Sequence, residues 1–450
     1  MTSSTTDWPS PTRSWFAVAV LTLGYTVSFV DRTILSLLID PIKADLGLSD
    51  TQIGLLQGLA FGLFYIAMGL PLGWLVDRVS RKRVIAAGVT IWCLATAACG
   101  LSSSFWQIFL ARMGVGAGEA TLSPAAISMI GDSFPAEQRA FPISVYSMAS
   151  SVGSGLALMV GGAAVAAISR TSGLVLPVVG RLAPWQATFV LVGLAGLIVV
   201  VLLGFVTEPA RREVVVPKAQ AKAAGLVAHI GRHRAFHVLH LGGMACYCVV
   251  IYGVLSWMPA YFIRTFGWTP GETGLRYGFV VTVFGGLGLA AAGWLSSYLA
   301  KRGVRAASLK ITGLSILLVT PMLVAACLAP DGWTAVYILA PAMVAFTASG
   351  GIAVAALTEA APGNLRGRTA ALYYFVLGIV GIAIGPVSVP LIAQHVIGDA
   401  QALGPAIATA VAVLGPVAGT LVLCSIRPFG HAVDALASIA NPVDPALAPS

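Results

Sequence analysis

The sequence predicts an all-α membrane protein, twelve transmembrane helices arranged as two pseudo-symmetric six-helix bundles. Three observations carry that reading. Of the 450 residues, 58% are hydrophobic and only 10% charged, where an ordinary soluble domain has about 25% charged residues. The mean hydropathy is +0.90, and a soluble core of this length cannot hide that much apolar surface. The apolar residues also run in continuous stretches long enough to cross a hydrocarbon core about 30 Å thick as helices, rather than in the alternating runs of about ten that barrel strands show. A soluble enzyme, a disordered regulator and a disulfide scaffold are excluded.

The stretches fall at about 14–39, 51–76, 84–104, 106–130, 140–168, 185–206, 236–262, 273–300, 307–328, 333–357, 368–395 and 402–425. Span 1 carries Tyr25, Ser28, Arg32 and Ser36 on one helical face, at spacings of 3, 4 and 4. Span 2 holds the ridge Gly54, Gly58 and Gly62, a small-residue pattern suited to packing within the chain, so a monomer is expected. Span 4 holds glycines at 114, 116 and 118, and span 5 a serine stripe at 144, 147, 151 and 154. Fifty glycines and 25 prolines would ruin soluble helices; in membrane helices they permit close packing and kinks. The first stretch is too long for a cleavable signal peptide and continues into charged residues. Cys93, Cys99, Cys246, Cys248, Cys327 and Cys424 lie in or beside spans without metal or haem spacing, and read as packing thiols.

The net charge of +9 reports topology, not a nucleic acid. With the N-terminus in the cytoplasm, 19 of the 26 Lys and Arg residues fall on the cytoplasmic side, five on the other, and Arg32 and Arg112 inside spans. That asymmetry is the positive-inside rule. It predicts a multi-pass protein of the plasma (inner) membrane with both termini cytoplasmic. The longest polar interruption, 207–235, divides the chain into an N-terminal six-helix domain (1–206), a cytoplasmic linker with a candidate amphipathic helix, and a C-terminal six-helix domain with a short tail (236–450).

Internal repetition supports that division. Gly73-Trp74-Leu75 closes span 2 before Arg81-Lys82-Arg83, and Gly293-Trp294-Leu295 closes span 8 before Lys301-Arg302, an offset of 220. Asp132-x-x-Pro135-x-x-x-Arg139 after span 4 matches Glu359-x-x-Pro362-x-x-x-Arg366 after span 10, an offset of 227. The run Gly73 to Arg83, GWLVDRVSRKR, resembles the loop 2–3 signature of the major facilitator superfamily, with Ser80 where that family has glycine. Arg112-Met113-Gly114-Val115-Gly116 resembles its span 4 arginine motif. Asp31-Arg32, Gly118-Glu119-Ala120 and Asp132-Ser133-Phe134-Pro135 are similar to the Spinster-like branch, whose eukaryotic members are linked to export of sphingosine-1-phosphate and lysophospholipids. The resemblance implies alternating access between two six-helix domains. It also implies a cytoplasmic latch in which Asp77 meets the start of span 11 near Arg366, with Arg78, Arg81, Asp132, Arg139 and Glu359 as related gate residues.

Charges at bilayer depth cost about 2.5–3.5 kcal/mol each on translocon scales and are functional suspects. Four qualify, Asp31, Arg32, Arg112 and Glu119, all in spans 1 and 4. Arg112 and Glu119 are two helical turns apart on one face, with Ser123 one turn beyond. The polar stripes of spans 1, 4 and 5 suit a water-filled cavity. Tyr25, Ser28, Tyr65, Ser123, Tyr146, Ser147 and Ser151 are its candidate lining in the first half, with Tyr252 and Tyr373 in the second. Burial raises a carboxylate's pKa and a nearby arginine lowers it. An acid held between those effects is switched by whatever engages the arginine. The expected mechanism has Glu119, with Asp31, carrying a proton that is taken up when an anionic substrate competes for Arg32 or Arg112. In the alternative, Arg112 only ties spans 1 and 4 together.

Other chemistries are weakly signalled. Gly114-x-Gly116-x-Gly118 follows no strand, and no GxxxxGK[ST] occurs. His229, His233, His237 and His240 fit a basic interfacial helix better than a metal site. No cofactor, metal or enzymatic dyad is expected. The reading is a secondary transporter, proton-coupled, of an amphipathic anion such as a lysolipid, with a small organic anion or drug as the alternative.

Overall fold

The computed structural model describes residues 8–135, 138–170, 174–176, 180–211, 224–363 and 365–440. Among them, eleven helices are long and apolar enough to cross a membrane. The twelfth stretch, span 4, is split into Phe105–Glu119 and Leu122–Ser133, neither of which spans alone. Its glycines at 114, 116 and 118 weaken helix continuity, and Pro124 in the first turn of the second piece has no N–H to carry the ladder back across the break. Span 2 breaks similarly at Gly58 into Asp50–Gln57 and Leu59–Val76. Its start is fixed by a reciprocal cap: Gln52 N–H donates to Ser49 Oγ (3.2 Å) and Ser49 N–H to Gln52 Oε1 (2.9 Å).

The remaining spans follow the sequence reading. Span 1 is Pro11–Leu37, span 3 Arg81–Gly100 and span 5 Ala140–Ser169. Span 6 is Pro184–Gly196 continued by Ile198–Phe205. Spans 7 to 10 are Arg234–Phe266, Pro270–Lys301, Ala307–Cys327 and Gly332–Glu359. Span 11, Arg366–Ile392, ends in a π turn at Ala393–Ile397, and span 12 is Leu403–Cys424. The linker supplies one described helix, Ala224–Arg232. Three elements were not expected, the first being the helix Ile39–Leu46 between spans 1 and 2. Leu174–Leu176 pairs antiparallel with Gly180–Leu182, Val175 opposite Arg181. The tail forms the helix Ile426–Ala440, which buries Phe429 against Phe236 (centroids 5.5 Å).

The chain divides into two compact units. The first comprises Met1–Val214, Val254–Val283 and Pro386–Leu403; the second comprises Val215–Gly253, Phe284–Gly385 and Gly404–Ser450. The first unit therefore contains more than the first six spans: the ends of spans 7, 8 and 11 nearest the 38–49 connection pack into it. Glycines make this possible. A Cβ on Gly54 would stand 2.6 Å from the Pro386 carbonyl oxygen, one on Gly155 2.5 Å from that of Gly278, and one on Gly274 2.4 Å from that of Leu158. Spans 2 and 11, and spans 5 and 8, thus meet backbone to backbone at that end. The span 4 glycines do the same inside the first bundle: Gly116 lies against the Phe61 carbonyl and Gly118 against Gly88 and Trp92.

Candidate functional site

At the middle of the first bundle, Arg32 of span 1 meets Glu119 at the break in span 4. Arg32 Nε and Nη2 both reach Glu119 Oε2, at 2.6 and 2.5 Å. The Glu119 side chain has no exposed surface and that of Arg32 only 20%, while Glu119 Oε1 has no hydrogen-bond partner. The guanidinium is held over three aromatic faces, with centroids at 5.2 Å (Phe29), 4.6 Å (Phe61) and 4.9 Å (Tyr65). Each such contact attracts a cation. Tyr25 stacks on Tyr146 at 4.9 Å, and the Tyr146 hydroxyl lies 3.1 Å from Ser123 Oγ. The structure therefore brings together Tyr25, Arg32, Tyr65, Glu119, Ser123 and Tyr146, drawn from spans 1, 2, 4 and 5.

The other two buried charges do different work. Arg112 Nε donates to the Leu56 carbonyl (3.3 Å) and its Nη1 to the Asp31 carbonyl (3.2 Å), tying span 4 to spans 2 and 1 through backbone oxygens. The partner of Glu119 is Arg32. Asp31 is fully buried and neither carboxylate oxygen has a partner.

Not every candidate joins this cluster. Ser28 is buried and turns its hydroxyl onto the Tyr25 carbonyl (2.9 Å). Ser147 is exposed, and the side chain of Ser151 lies outside the described residues. Tyr252 and Tyr373 belong to the second unit. There Tyr252 fits against Gly381 and Gly385, and Tyr373 is buried, stacked on His240 at 6.1 Å. His240 Nε2 in turn faces the Ala353 carbonyl at 3.1 Å.

At the 38–49 end, sequence reasoning missed an ionic cluster. Arg264 of span 7 grips Asp50 with two parallel hydrogen bonds (2.9 and 2.8 Å) and reaches Asp40 at 2.7 Å. Lys43 adds a second cation to Asp50 at 2.7 Å. The side chains of Arg264 and Asp50 are 9% and 5% exposed, and paired N–H donors on one carboxylate are the strong form of this interaction. These residues stand at span ends, where charges are cheap, so hydropathy gave no signal for them.

At the opposite end, Arg81 is almost wholly buried. It pairs with Asp132, with Glu208 (3.3 Å) and with the Pro209 carbonyl (2.6 Å). Asp77 is exposed, and Arg211 donates to the carbonyls around it, at Val76 and Val79 (2.6 Å each) and at Asp77 itself. Arg78 lies 3.7 Å over the exposed Trp74 ring. The repeat-related Trp294, also exposed, stacks on Tyr298 (5.4 Å) beneath Arg302 (4.7 Å). Arg139 donates to the Phe134 carbonyl (2.9 Å) and Arg366 to that of Ala361 (3.4 Å), while Glu359 is exposed.

Burial alone would raise the Glu208 carboxyl, but hydrogen bonds from Ser80 and from the Arg81 backbone and side chain outweigh it and hold the group below its ordinary value of 4.5. Its stabilisation is therefore present above that value and is lost as pH falls through the depressed one. In detergent, the thermal stability of wild type should exceed that of Glu208→Gln by a constant margin at neutral pH, and the margin should shrink on acidification. A margin independent of pH would show that the network does not depend on this charge.

Residues 21–386 match the family model of the Major Facilitator Superfamily. An MFS-type efflux pump of Mycolicibacterium smegmatis is 30% identical over 410 residues, 91% of each chain. Protein spinster of Drosophila melanogaster is 27% identical over 329 residues, 70% of this chain and 51% of that protein. Among solved structures, a bacterial homologue of the human lysosomal transporter Spinster, in an inward-facing and unoccupied conformation, aligns with a TM-score of 0.75 and 28% identity over 95% of this chain and 98% of that one. The chain belongs to the major facilitator superfamily, is similar to its Spinster-like members, and is a transporter rather than an enzyme.

Proposed function

We propose that the chain is a proton-coupled secondary transporter of an amphipathic anion, with Arg32 and Glu119 as the coupling pair. The observation that carries this reading is the pair itself: a fully buried carboxylate held through one oxygen by a guanidinium that remains 20% exposed. An anionic headgroup arriving from the exposed side competes for the guanidinium. Glu119 then loses its partner in a low-dielectric site and takes a proton, and the neutralised centre favours the other orientation. The aromatic faces around Arg32 suit the apolar part of such a substrate. Mouse sphingosine-1-phosphate transporter SPNS2 is 35% identical over 146 residues, 32% of this chain, which favours a lysolipid or sphingolipid. The efflux-pump relative favours the second reading, a small organic anion or drug.

In this reading the 38–49 end is extracytoplasmic, both termini are cytoplasmic, and the protein works as a monomer in the plasma membrane. The Arg264–Asp50 cluster closes the outer entrance. Arg81, Asp132 and Glu208, with Arg211 on the carbonyls around Asp77, hold the cytoplasmic end of the first unit together. The test is internal pH in proteoliposomes as lysophosphatidic acid, sphingosine-1-phosphate, lysophosphatidylcholine and small organic anions are added in turn. A proton flux triggered by the lysolipids is expected. Flux with small anions alone would replace the substrate class and keep the mechanism, while substrate movement without proton flux would end the coupling proposal.

A further inference from the structure

Within span 3, the Thr96 side chain departs from what Thr90 does, as do the buried hydroxyls of Thr22, Thr273 and Thr312 elsewhere. A threonine in a helix ordinarily satisfies its hydroxyl on the carbonyl one turn back. Thr90 does so on Ala86 (2.8 Å), Thr188 on Pro184 (2.8 Å) and Thr320 on Ile316 (2.7 Å). Thr96 is 1% exposed, yet its hydroxyl has no partner. It reaches instead toward the Asp31 carboxylate of span 1, both of whose oxygens are equally unpartnered. One turn earlier on the same helix, the fully buried Trp92 also leaves its indole N–H without an acceptor. Buried polar groups are nearly always hydrogen-bonded, so an acid and a hydroxyl that face each other with no other partner are each other's natural complement.

The surrounding charges leave this task open. The titratable groups facing Asp31 are Glu119 and Arg112 from span 4, Arg32 beside it on span 1, and Cys93 and Cys99 from span 3. Arg32 is engaged by Glu119. The Arg112 donors described go to the Leu56 and Asp31 carbonyls, not to the carboxylate.

We propose that Thr96 is the positioning residue of a proton site at Asp31, its hydroxyl donating to the carboxylate when the acid is ionised and accepting from the acid O–H when it is protonated. A threonine hydroxyl can do both, having one proton and two lone pairs. The contact is stronger with the charged form, so it holds the proton affinity of Asp31 down and keeps the carboxyl oriented through the cycle. This inference rests on the proposed proton coupling and on the expectation from the sequence that Asp31 shares the proton-carrying role with Glu119.

The test needs no substrate. The full chain in lipid nanodiscs is titrated by infrared spectroscopy, following the carbonyl band of protonated Asp31, which Asp31→Asn identifies by deleting it. Thr96→Val should move the midpoint to higher pH by about one unit, roughly a tenfold gain in proton affinity, and Thr96→Ser should restore it. Thr96→Ala removes the same hydroxyl with less steric demand and serves if the valine variant does not fold. An unmoved midpoint in the hydroxyl-free variants, with the band still lost in Asp31→Asn, overturns the role of Thr96 alone. A wild type with no such band at any pH overturns the reading of Asp31 as a proton carrier, and this inference with it.

Discussion

With the 38–49 end outside, as proposed, replacing Asp50 with asparagine or Arg264 with leucine should release that end and shift the transporter toward outward-open conformations. Asp50 receives two hydrogen bonds from Arg264 and a third contact from Lys43, at side-chain exposures of 5% and 9% for the first two residues. Truncating one partner of a buried, hydrogen-bonded charge pair costs about 2–5 kcal/mol. Because the pair joins span 7 to the start of span 2, that cost falls on the closed arrangement and not on either helix. A bias of about 2.7 kcal/mol is a hundredfold change in population. Spin labels on the exposed positions Ala44 and Thr265 read the result: a short distance dominates in wild type and a longer one in either variant. Arg264→Lys should be intermediate, since a lysine keeps the charge and loses the paired geometry. An unchanged distance distribution in Asp50→Asn would remove the cluster from the gating scheme and leave glycine-mediated packing at Gly54 and Gly155 as what holds that end.

The second large effect concerns the central pair. Arg32→Met leaves Glu119 without exposed surface and without a partner, and breaking a buried ion pair on one side costs about 3–5 kcal/mol. Glu119→Gln is milder, because Arg32 keeps its three aromatic neighbours and its 20% exposure. The double variant Arg32→Met/Glu119→Gln should recover most of the stability lost by Arg32→Met and none of the transport. Thermal unfolding of the purified variants in detergent gives the order, with wild type and Glu119→Gln highest, the double variant close behind and Arg32→Met lowest. Equal unfolding temperatures for Arg32→Met and Glu119→Gln would show that the pair is not mutually dependent.

The spans were legible because bilayer-crossing helices are written in continuous hydrophobicity. The exception is instructive: span 4 reads as one stretch, but Gly114, Gly116, Gly118 and Pro124 break it beside Glu119. Asp31, Arg32, Arg112 and Glu119 were legible one by one, since a charge in an apolar run has no cheap explanation. Their pairing was not. Arg112 shares a helix face with Glu119, yet the partner is Arg32, 87 positions away. The Arg264–Asp50 contact spans 214 positions and the Arg81–Glu208 contact 127. Such long-range pairs sit at helix ends, where a charge is ordinary and periodicity carries no information about what it faces. The aromatic surround of Arg32 was half legible: Tyr25, Tyr65 and Tyr146 were candidates, but only packing decides that Phe29, Phe61 and Tyr65 face the guanidinium.

At the centre of the mechanism is the uptake of a solvent proton by Glu119 when an anion engages Arg32. Its most direct measurement is the proton balance of binding itself, followed with a pH-sensitive dye as lysophosphatidic acid is added to purified protein in weakly buffered detergent. About one proton per bound ligand should be taken up by wild type, and none by Glu119→Gln, which still binds. Proton uptake that persists in Glu119→Gln, or ligand binding to wild type with no uptake at any pH, would contradict that mechanism.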